Sequence, residues 1–149
     1  MRAVLIVNPN ATSTTPAGRD LLAHALESRV NLTVTHTDHR GHAVEIAEAA
    51  NRDGIDVIIV HGGDGTVNEV VNGLLGAPGG DRPPAGALPA VAVVPGGSAN
   101  VFARALGISP DPIEATNQLV DLLDGYRRGG SWRRIGLMDC GERWAVFTA

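Results

Sequence analysis

The feature that most constrains this chain is an alternation of short apolar runs with longer stretches of helical spacing, repeated four times. The apolar runs are typical of buried strands, because each is a few residues long and is closed by polar or turn-forming residues. We place these strands at residues 3–7, 32–37, 57–60 and 90–94. Strands that alternate with helices predict an α/β domain in which a mainly parallel sheet is covered by helices on both faces.

The helices are predicted from the spacing of their apolar residues. In the clearest case Val67, Val70, Val71, Leu74 and Leu75 recur at helical intervals directly after a glycine-rich segment. Each helix is therefore expected to turn one apolar face toward the sheet. The remaining helices are predicted over residues 16–26, 41–52, 102–106 and 115–125.

The last residues of the chain follow a different pattern. Residues 132–138 and 143–148 are predicted to form two strands around a turn, which together make a β-hairpin. A hairpin after a parallel-sheet domain is expected to begin, or to join, another structural unit. We therefore expect an α/β domain over residues 1–130 and a separate hairpin over residues 131–149.

Charge and aromatic content argue against a protein that binds nucleic acid. The net charge is −4, whereas proteins that bind the phosphate backbone normally present a basic surface. The chain has two Trp, one Tyr and two Phe, which leaves few rings on which exposed bases could stack. We therefore expect no nucleic-acid partner.

All twelve basic residues are arginines, so the chain has no lysine. This excludes a P-loop of the G-x-x-x-x-G-K-[ST] type and any lysine that forms a Schiff base. A phosphate group on this protein must therefore be held by backbone N–H groups, by arginines or by a metal ion.

The cysteine content and the hydropathy of the chain indicate the cellular compartment in which the protein is expected. Cys140 is the only cysteine, so an internal disulfide and a cysteine-rich zinc site are excluded. No apolar run approaches the ~18 residues that a membrane-spanning helix needs. The apolar start is too short for a signal peptide. We expect a soluble, cytoplasmic protein.

The strongest candidate for a binding site is the loop over residues 62–66, Gly-Gly-Asp-Gly-Thr, between a strand and an amphipathic helix. Its glycines permit positive φ and let a bulky anion approach the backbone. The helix that follows offers unpaired N–H groups and the positive end of its dipole, which favour phosphate. Asp64 would repel that phosphate unless it holds a cation or a cation-bound water, or takes a proton from an attacking hydroxyl. The alternative is that Asp64 is only the N-cap of the helix.

Two more loops follow predicted strands and would lie at the same edge of the sheet. Residues 95–100, Pro-Gly-Gly-Ser-Ala-Asn, repeat the glycine-rich design, while residues 8–15 are rich in hydroxyls but have no glycine. The G-x-G-x-x-G pattern of dinucleotide-binding enzymes is absent after the first strand. His36, His39 and His42 lack the i, i+4 spacing of a helical metal site, and we predict that they are exposed to solvent.

Three segments, in this order and spacing, resemble the catalytic region of diacylglycerol kinases, a family that includes sphingosine kinases and soluble bacterial lipid kinases. They are Asn8-Pro9, then His-Gly-Gly-Asp-Gly-Thr-Val-Asn-Glu-Val over residues 61–70, and Pro-Gly-Gly-Ser-Ala-Asn-Val-Phe-Ala-Arg-Ala-Leu-Gly over residues 95–107. The chain departs from the family in the first loop, where a glycine is usual, and at Val101, where an acidic residue is common. Gly-Gly-Asp-Gly alone also occurs in NAD kinases and phosphofructokinases.

The resemblance implies an ATP- and Mg²⁺-dependent kinase that phosphorylates the hydroxyl of a lipid, such as diacylglycerol, at a membrane surface. Asp64 would organise Mg²⁺ through water or serve as the catalytic base. The residues that the resemblance places at the nucleotide are Asn8, Pro9, Asn10, Thr12, Thr37, Gly62, Gly63, Asp64, Gly65, Thr66, Val67, Asn68, Gly97, Ser98 and Asn100.

Members of this family also have a second, β-rich domain that supplies most of the lipid pocket. The resemblance therefore implies that these 149 residues are part of a longer enzyme, with little activity alone. Without that domain, Trp144, Val146 and Phe147 would lack a cover, so we expect self-association through the hairpin. An NAD kinase-like enzyme and a non-catalytic nucleotide-binding module remain as alternatives.

Overall fold

The computed structural model describes residues 1–11, 15–81, 87–97, 99–127 and 137–145. Its centre is a four-stranded parallel sheet with the strand order β2-β1-β3-β4. Each strand lies within one or two residues of its predicted bounds, which confirms the parallel α/β prediction. The strands are β1 (Arg2–Val7), β2 (Asn31–His36), β3 (Val57–Gly62) and β4 (Ala90–Pro95).

Within the described residues, five helices cover the two faces of this sheet. Residues of α2, α3 and α4 form one buried apolar cluster with the sheet, and residues of α1 and α5 form the other. The helices are therefore on both faces, as the alternation of apolar runs predicts. Their bounds are α1 (Pro16–Glu27), α2 (His42–Arg52), α3 (Asp64–Leu75), α4 (Val101–Ala105) and α5 (Pro112–Arg127).

Small residues let α2 and α3 pack closely. A Cβ atom at Gly73 of α3 would lie 2.5 Å from the carbonyl oxygen of Val44 and 2.9 Å from the Cβ of Ala47. Ala43 and Ala50 are also buried on the α2 side of this contact. The close packing fixes the position of α3, whose N-terminus reaches the carboxyl edge of the sheet.

Backbone hydrogen bonds between neighbouring strands continue into the loops at that edge. The Thr37 N–H donates to the carbonyl of Val7, and the Asn8 N–H donates to the carbonyl of His61. Helix α1, which follows β1, and helix α3, which follows β3, lie on opposite faces of the sheet. A crevice therefore opens between the ends of these two neighbouring strands, which is where ligands bind in open α/β sheets.

The hairpin is present but shorter than predicted within the described residues. Strands β5 (Met138–Asp139) and β6 (Trp144–Ala145) pair antiparallel, while residues 132–136 and 146–148 lie outside the part of the chain that the structure describes.

The expectation that Trp144 is uncovered is wrong. This residue is only 7% exposed, because β6 packs against α3. The Trp144 N–H donates to Oδ1 of Asn72 at 2.7 Å, and Nδ2 of Asn72 donates to the Trp144 carbonyl at 2.9 Å. Self-association stays a prediction that now depends on Val146 and Phe147, which lie outside the described residues.

Within the described ranges, no helix has both the length and the apolar character that crossing a membrane requires.

Candidate functional site

A cleft of about 530 Å³ opens at the carboxyl edge of the sheet, between the loops that follow the four strands. Its size lies within the range of small-molecule sites. Nine of the fifteen residues that the family resemblance places at the nucleotide line this cleft. They are Asn8, Asn10, Thr37, Gly63, Asp64, Gly65, Thr66, Gly97 and Asn100.

Of the other six residues, the four that the structure describes do not line it. Val67 is 1% exposed in the core, and its N–H is bonded to the Gly63 carbonyl, so it has no group to offer a ligand. Pro9, Gly62 and Asn68 are also absent from the cleft lining. Thr12 and Ser98 lie outside the described residues.

The glycines at this edge serve to bring two loops together. The positive φ that glycine permits is not used here, since the described glycines with positive φ lie elsewhere in the chain. A Cβ atom at Gly97 would lie 2.7 Å from the Cα of Gly63, and one at Gly96 would lie 3.0 Å from the Cα of Gly62. Any side chain at these positions would push apart the loops that follow β3 and β4.

The N-terminus of α3 opens into the cleft. Gly63 precedes the helix without a side-chain cap, and the first intrahelical bond runs from the Val67 N–H to the Gly63 carbonyl. The N–H groups of Asp64, Gly65 and Thr66 therefore have no partner within the helix. A Cβ atom at Gly65 would meet no atom within 4 Å, so this position faces open space. The arrangement can accept an anion close to the backbone.

Asp64 plays a part that the sequence did not predict. Its Oδ2 accepts the Val101 N–H and its Oδ1 accepts the Phe102 N–H, both at 3.0 Å. The carboxylate therefore caps α4, which begins 37 residues further along the chain. The interpretation of Asp64 as the N-cap of its own helix is wrong, because Gly63 holds that position.

Asn100 stabilises the loop after β4. It is the one non-glycine residue with positive φ within the described ranges, a conformation that asparagine tolerates. Its Oδ1 accepts the Gly97 N–H at 3.0 Å, and its Nδ2 donates to the Gly97 carbonyl at 2.8 Å. The side-chain amide is thus engaged by the loop itself.

One side of the cleft was missed by the sequence reasoning. Residues 38–41, which we call the β2–α2 wall, contribute Asp38, His39 and Arg40 to the lining, and Glu69 of α3 lies beside them. The sequence signal that could have identified residues 38–41 is their position directly after β2, at the same edge of the sheet as the glycine-rich loops. Among the described lining residues, Arg40 is the only arginine or lysine.

The predicted exposure of the histidines is confirmed for His36 and His39, whereas His42 is partly buried. His39 and His42 stack with ring centroids 4.6 Å apart. Nδ1 of His39 is hydrogen-bonded to Asp38, which raises the pKa of His39 and lowers the pKa of Asp38. Side-chain atoms of Asp38, His39 and His42 that could bind a metal lie within 4.8 Å of one another. The spacing of these residues in the sequence did not predict this proximity.

His61 lies near the carboxyl end of β3 and is 2% exposed. Its Nδ1 is 3.2 Å from the carbonyl oxygen of Val94, which can only accept, so Nδ1 carries the proton. Burial lowers the pKa of His61; the hydrogen bond to Val94 opposes this shift, and the charge of Arg19 adds to it. This histidine is therefore a neutral structural link between β3 and β4.

A parallel sheet with glycine-rich loops and an uncapped helix N-terminus at its carboxyl edge places the chain in the class of open α/β folds that can accept an anion at that edge. Comparison with known proteins identifies the family within that class. Residues 2–124 match the diacylglycerol kinase catalytic domain, and the chain belongs to this family.

The relatives agree with that assignment. The chain is 39% identical over 100 residues to the "Probable lipid kinase YegS-like" of Chromohalobacter salexigens, a match that covers 67% of this chain and 30% of that protein. It is 32% identical over 117 residues to lipid kinase YegS of Escherichia coli K12, a match that covers 78% of this chain and 36% of that protein. A crystal structure of a diacylglycerol kinase from Bacillus anthracis matches with a TM-score of 0.69 and 32% identity, over 80% of this chain and 39% of that one. The chain thus spans about a third of the length of the curated relatives that it matches.

Proposed function

We propose that the cleft binds Mg²⁺·ATP and that the chain is the ATP-binding part of a lipid kinase acting at a membrane surface. The reaction transfers the γ-phosphoryl group to the hydroxyl of a lipid alcohol such as diacylglycerol. One observation carries this proposal: the uncapped N-terminus of α3 opens, through Gly65, into a cleft at the point where the helices after β1 and β3 diverge.

The groups around this helix end suit a phosphate chain. The N–H groups of Gly65 and Thr66 would donate to phosphate oxygens, and the missing side chain at Gly65 leaves room for them. Arg40 supplies positive charge in the same cleft, in a chain that has no lysine. Asn8 and Thr37 would contact the nucleotide at the ends of β1 and β2.

Asp64 is compatible with a magnesium role through water. Each of its oxygens accepts one backbone N–H, and a carboxylate oxygen has a second lone pair for a water bound to the ion. When bound, Mg²⁺ neutralises charge on the phosphates during phosphoryl transfer. Asp64 would then position that water while it holds α4 in place.

The lipid-binding part of the reaction is proposed to lie in a second unit. We place the α/β domain at residues 1–130 and the hairpin at residues 131–149, where it begins or joins a β-rich lipid-binding domain. Because phosphoryl transfer needs both substrates positioned together, this chain should bind nucleotide but transfer phosphate poorly. Fusing it to the part of lipid kinase YegS that the match leaves uncovered should restore transfer of labelled phosphate to diacylglycerol. A correctly folded fusion that phosphorylates no lipid alcohol would contradict the lipid-kinase proposal.

The nucleotide proposal is tested by calorimetric titration of the chain with Mg²⁺·ATP and, separately, with NAD. We expect binding of Mg²⁺·ATP, weaker binding of ATP when Mg²⁺ is removed, and no binding of NAD. Binding of NAD instead would favour an NAD kinase-like enzyme. Absence of heat with both ligands, supported by unchanged melting temperatures, would contradict the proposal.

A further inference from the structure

Two carboxylates of α3 face the cleft, where a free negative charge would repel a phosphate chain. Each of them is instead bonded to the backbone of a neighbouring loop. Asp64 accepts the N–H groups of Val101 and Phe102, and Glu69 accepts the Gly41 N–H at 2.6 Å. Helix α3 thereby holds both sides of the cleft, with Asp64 on the α4 side and Glu69 on the side of the β2–α2 wall.

The second of these bonds acts at the point where the β2–α2 wall becomes a helix. Gly41 has φ of 88°, a left-handed conformation that favours glycine, and it is the N-cap of α2. Its carbonyl accepts the Val44 N–H at 3.1 Å, and no side-chain hydrogen bond caps the helix. The Glu69 carboxylate therefore fixes the residue that ends the wall and begins α2, across 28 residues of sequence.

The wall that this bond holds carries the positive charge of the cleft. Arg40 directly precedes Gly41 and forms no ion pair with the residues that the structure describes. Its guanidinium is therefore available to a ligand. A hydrogen bond to a charged acceptor is roughly twice as strong as one between neutral groups, so the loss of the Glu69 carboxylate would loosen the wall at its anchor.

We propose that Glu69 is a positioning residue that sets the place of Arg40 in the cleft by holding the Gly41 N–H. The bond exists without a ligand, while its effect on nucleotide affinity rests on the proposed function. Glu69 touches no reacting atom in this proposal, and its carboxylate acts through the β2–α2 wall.

The test combines amide hydrogen exchange by NMR, without nucleotide, with titration by Mg²⁺·ATP. Three variants are compared with the wild-type chain. Glu69→Ala removes the acceptor, Glu69→Gln keeps an uncharged acceptor, and Glu48→Ala is a matched control at an exposed position of α2. For Glu69→Ala we expect Gly41 exchange to be at least about tenfold faster and the Kd for Mg²⁺·ATP to rise about tenfold, since the wall loses a charge-assisted bond. Glu69→Gln should give an exchange rate and a Kd between those of the wild type and Glu69→Ala, and Glu48→Ala should change neither quantity.

Two results would overturn the proposal, and a third would overturn the function on which its effect on affinity rests. Unchanged Gly41 exchange in Glu69→Ala would show that the bond does not hold the wall, and a loss of affinity in that case would place Glu69 directly on the ligand. Faster exchange with an unchanged Kd would show that the wall does not position a nucleotide contact. A wild-type chain that does not bind Mg²⁺·ATP would overturn the proposed function, while the exchange data would still decide whether Glu69 holds Gly41.

Discussion

Asp64 illustrates how one side chain can have two roles at this site. It lies in the first turn of α3, where a negative charge is favourable, and it caps the N-terminus of α4 through two backbone bonds. A substitution at Asp64 therefore disturbs the loop after β4 as well as any bound cation. Loss of ATP binding in such a variant would not by itself identify a magnesium site.

We predict that Asp64→Asn lowers the free energy of unfolding by about 1–2 kcal/mol, because one charge-assisted bond to α4 is lost. Hydrogen exchange at Val101 and Phe102 should become faster, while Asp121→Asn, at an exposed position of α5, should leave both amides unchanged. The magnesium role is checked separately, by comparing how strongly ATP affinity depends on Mg²⁺ in wild type and in Asp64→Asn. Unaltered exchange at Val101 and Phe102 would contradict the capping role.

Gly65 allows the binding surface to be changed without disturbing the core. An added methyl group meets no protein atom within 4 Å, so Gly65→Ala should retain the wild-type stability or gain up to about 1 kcal/mol. The same methyl group would occupy the space proposed for phosphate, and we expect the Kd for Mg²⁺·ATP to rise at least about tenfold.

The matched control is Gly73→Ala in the same helix, where the new Cβ would lie 2.5 Å from the Val44 carbonyl oxygen. This overpacking should lower the free energy of unfolding by about 1–3 kcal/mol, with nucleotide affinity retained in the folded protein. Denaturant unfolding and calorimetry on both variants separate the two effects. Equal nucleotide affinity in wild type and Gly65→Ala would mean that phosphate does not approach this helix end.

The buried His61 is expected to make the stability of the protein depend on pH. Because burial lowers the pKa of His61, the unfolded chain binds this proton at a higher pH than the folded one. The contribution of His61 to the free energy of unfolding is complete above pH 6.5. It declines as the pH falls toward the folded-state pKa, by at most about 1.4 kcal/mol per pH unit. The exposed His39, whose pKa is raised, contributes in the opposite sense.

The measurement is denaturant unfolding between pH 7.5 and 5.5 in a His39→Gln background, with and without His61→Asn. Asparagine can keep the N–H that donates to Val94, so the comparison isolates the titration. We expect a smaller loss of stability on acidification when His61 is replaced. Parallel stability curves would show that His61 contributes nothing to the pH dependence.

At the scale of the elements, α3 joins the proposed nucleotide site to the hairpin. Its first turn opens into the cleft, and Asn72, two turns later, pairs with both backbone groups of Trp144. An isolated two-stranded hairpin is at best marginally stable in water, so the hairpin depends on its packing against α3. The hairpin is therefore held by the same helix that presents the proposed phosphate site.

We predict that Asn72→Ala releases the hairpin while the sheet stays folded. Exchange of the Trp144 amide should become at least about tenfold faster, because its acceptor is lost, and exchange in β1 and β3 should not change. Asn117→Ala, at an exposed position of α5, is the control. Retained protection of Trp144 in Asn72→Ala would show that packing alone holds the hairpin.

The elements could be predicted from the sequence because their signals are local. Runs such as residues 57–60 and the helical spacing of Val67, Val70 and Leu74 place strands and helices within a few residues of where they lie. The carboxyl edge could be predicted for the same reason, since it follows from strand direction.

The contacts across the cleft could not be predicted in this way. Asp64 meets α4 across 37 residues, and Glu69 meets Gly41 across 28, with no periodicity that records either pairing. The close approach of the glycine pairs at residues 62–63 and 96–97 could not be predicted for a related reason. Positive φ is a local property, whereas their close approach becomes visible only when β3 and β4 are paired.

For the molecule as a whole, the sheet provides the buried base and the loops at one edge carry the candidate functional groups. The four strands carry the buried core, and the candidate groups follow the strand ends without interrupting it. This division places the candidate site at one edge of the sheet, within a chain that covers about a third of the length of the curated relatives that it matches.

The central claim is that Mg²⁺·ATP binds at the carboxyl edge, with its phosphates at the N-terminus of α3. The most direct test is to follow the backbone amide signals of the ¹⁵N-labelled chain by NMR during titration with Mg²⁺·ATP. We predict the largest shifts at Gly63, Gly65, Thr66 and Gly97, smaller ones in the β2–α2 wall, and none in the outer turns of α1 and α5. Shifts confined to α1, α5 or the hairpin, or no shifts at saturating Mg²⁺·ATP, would contradict the claim.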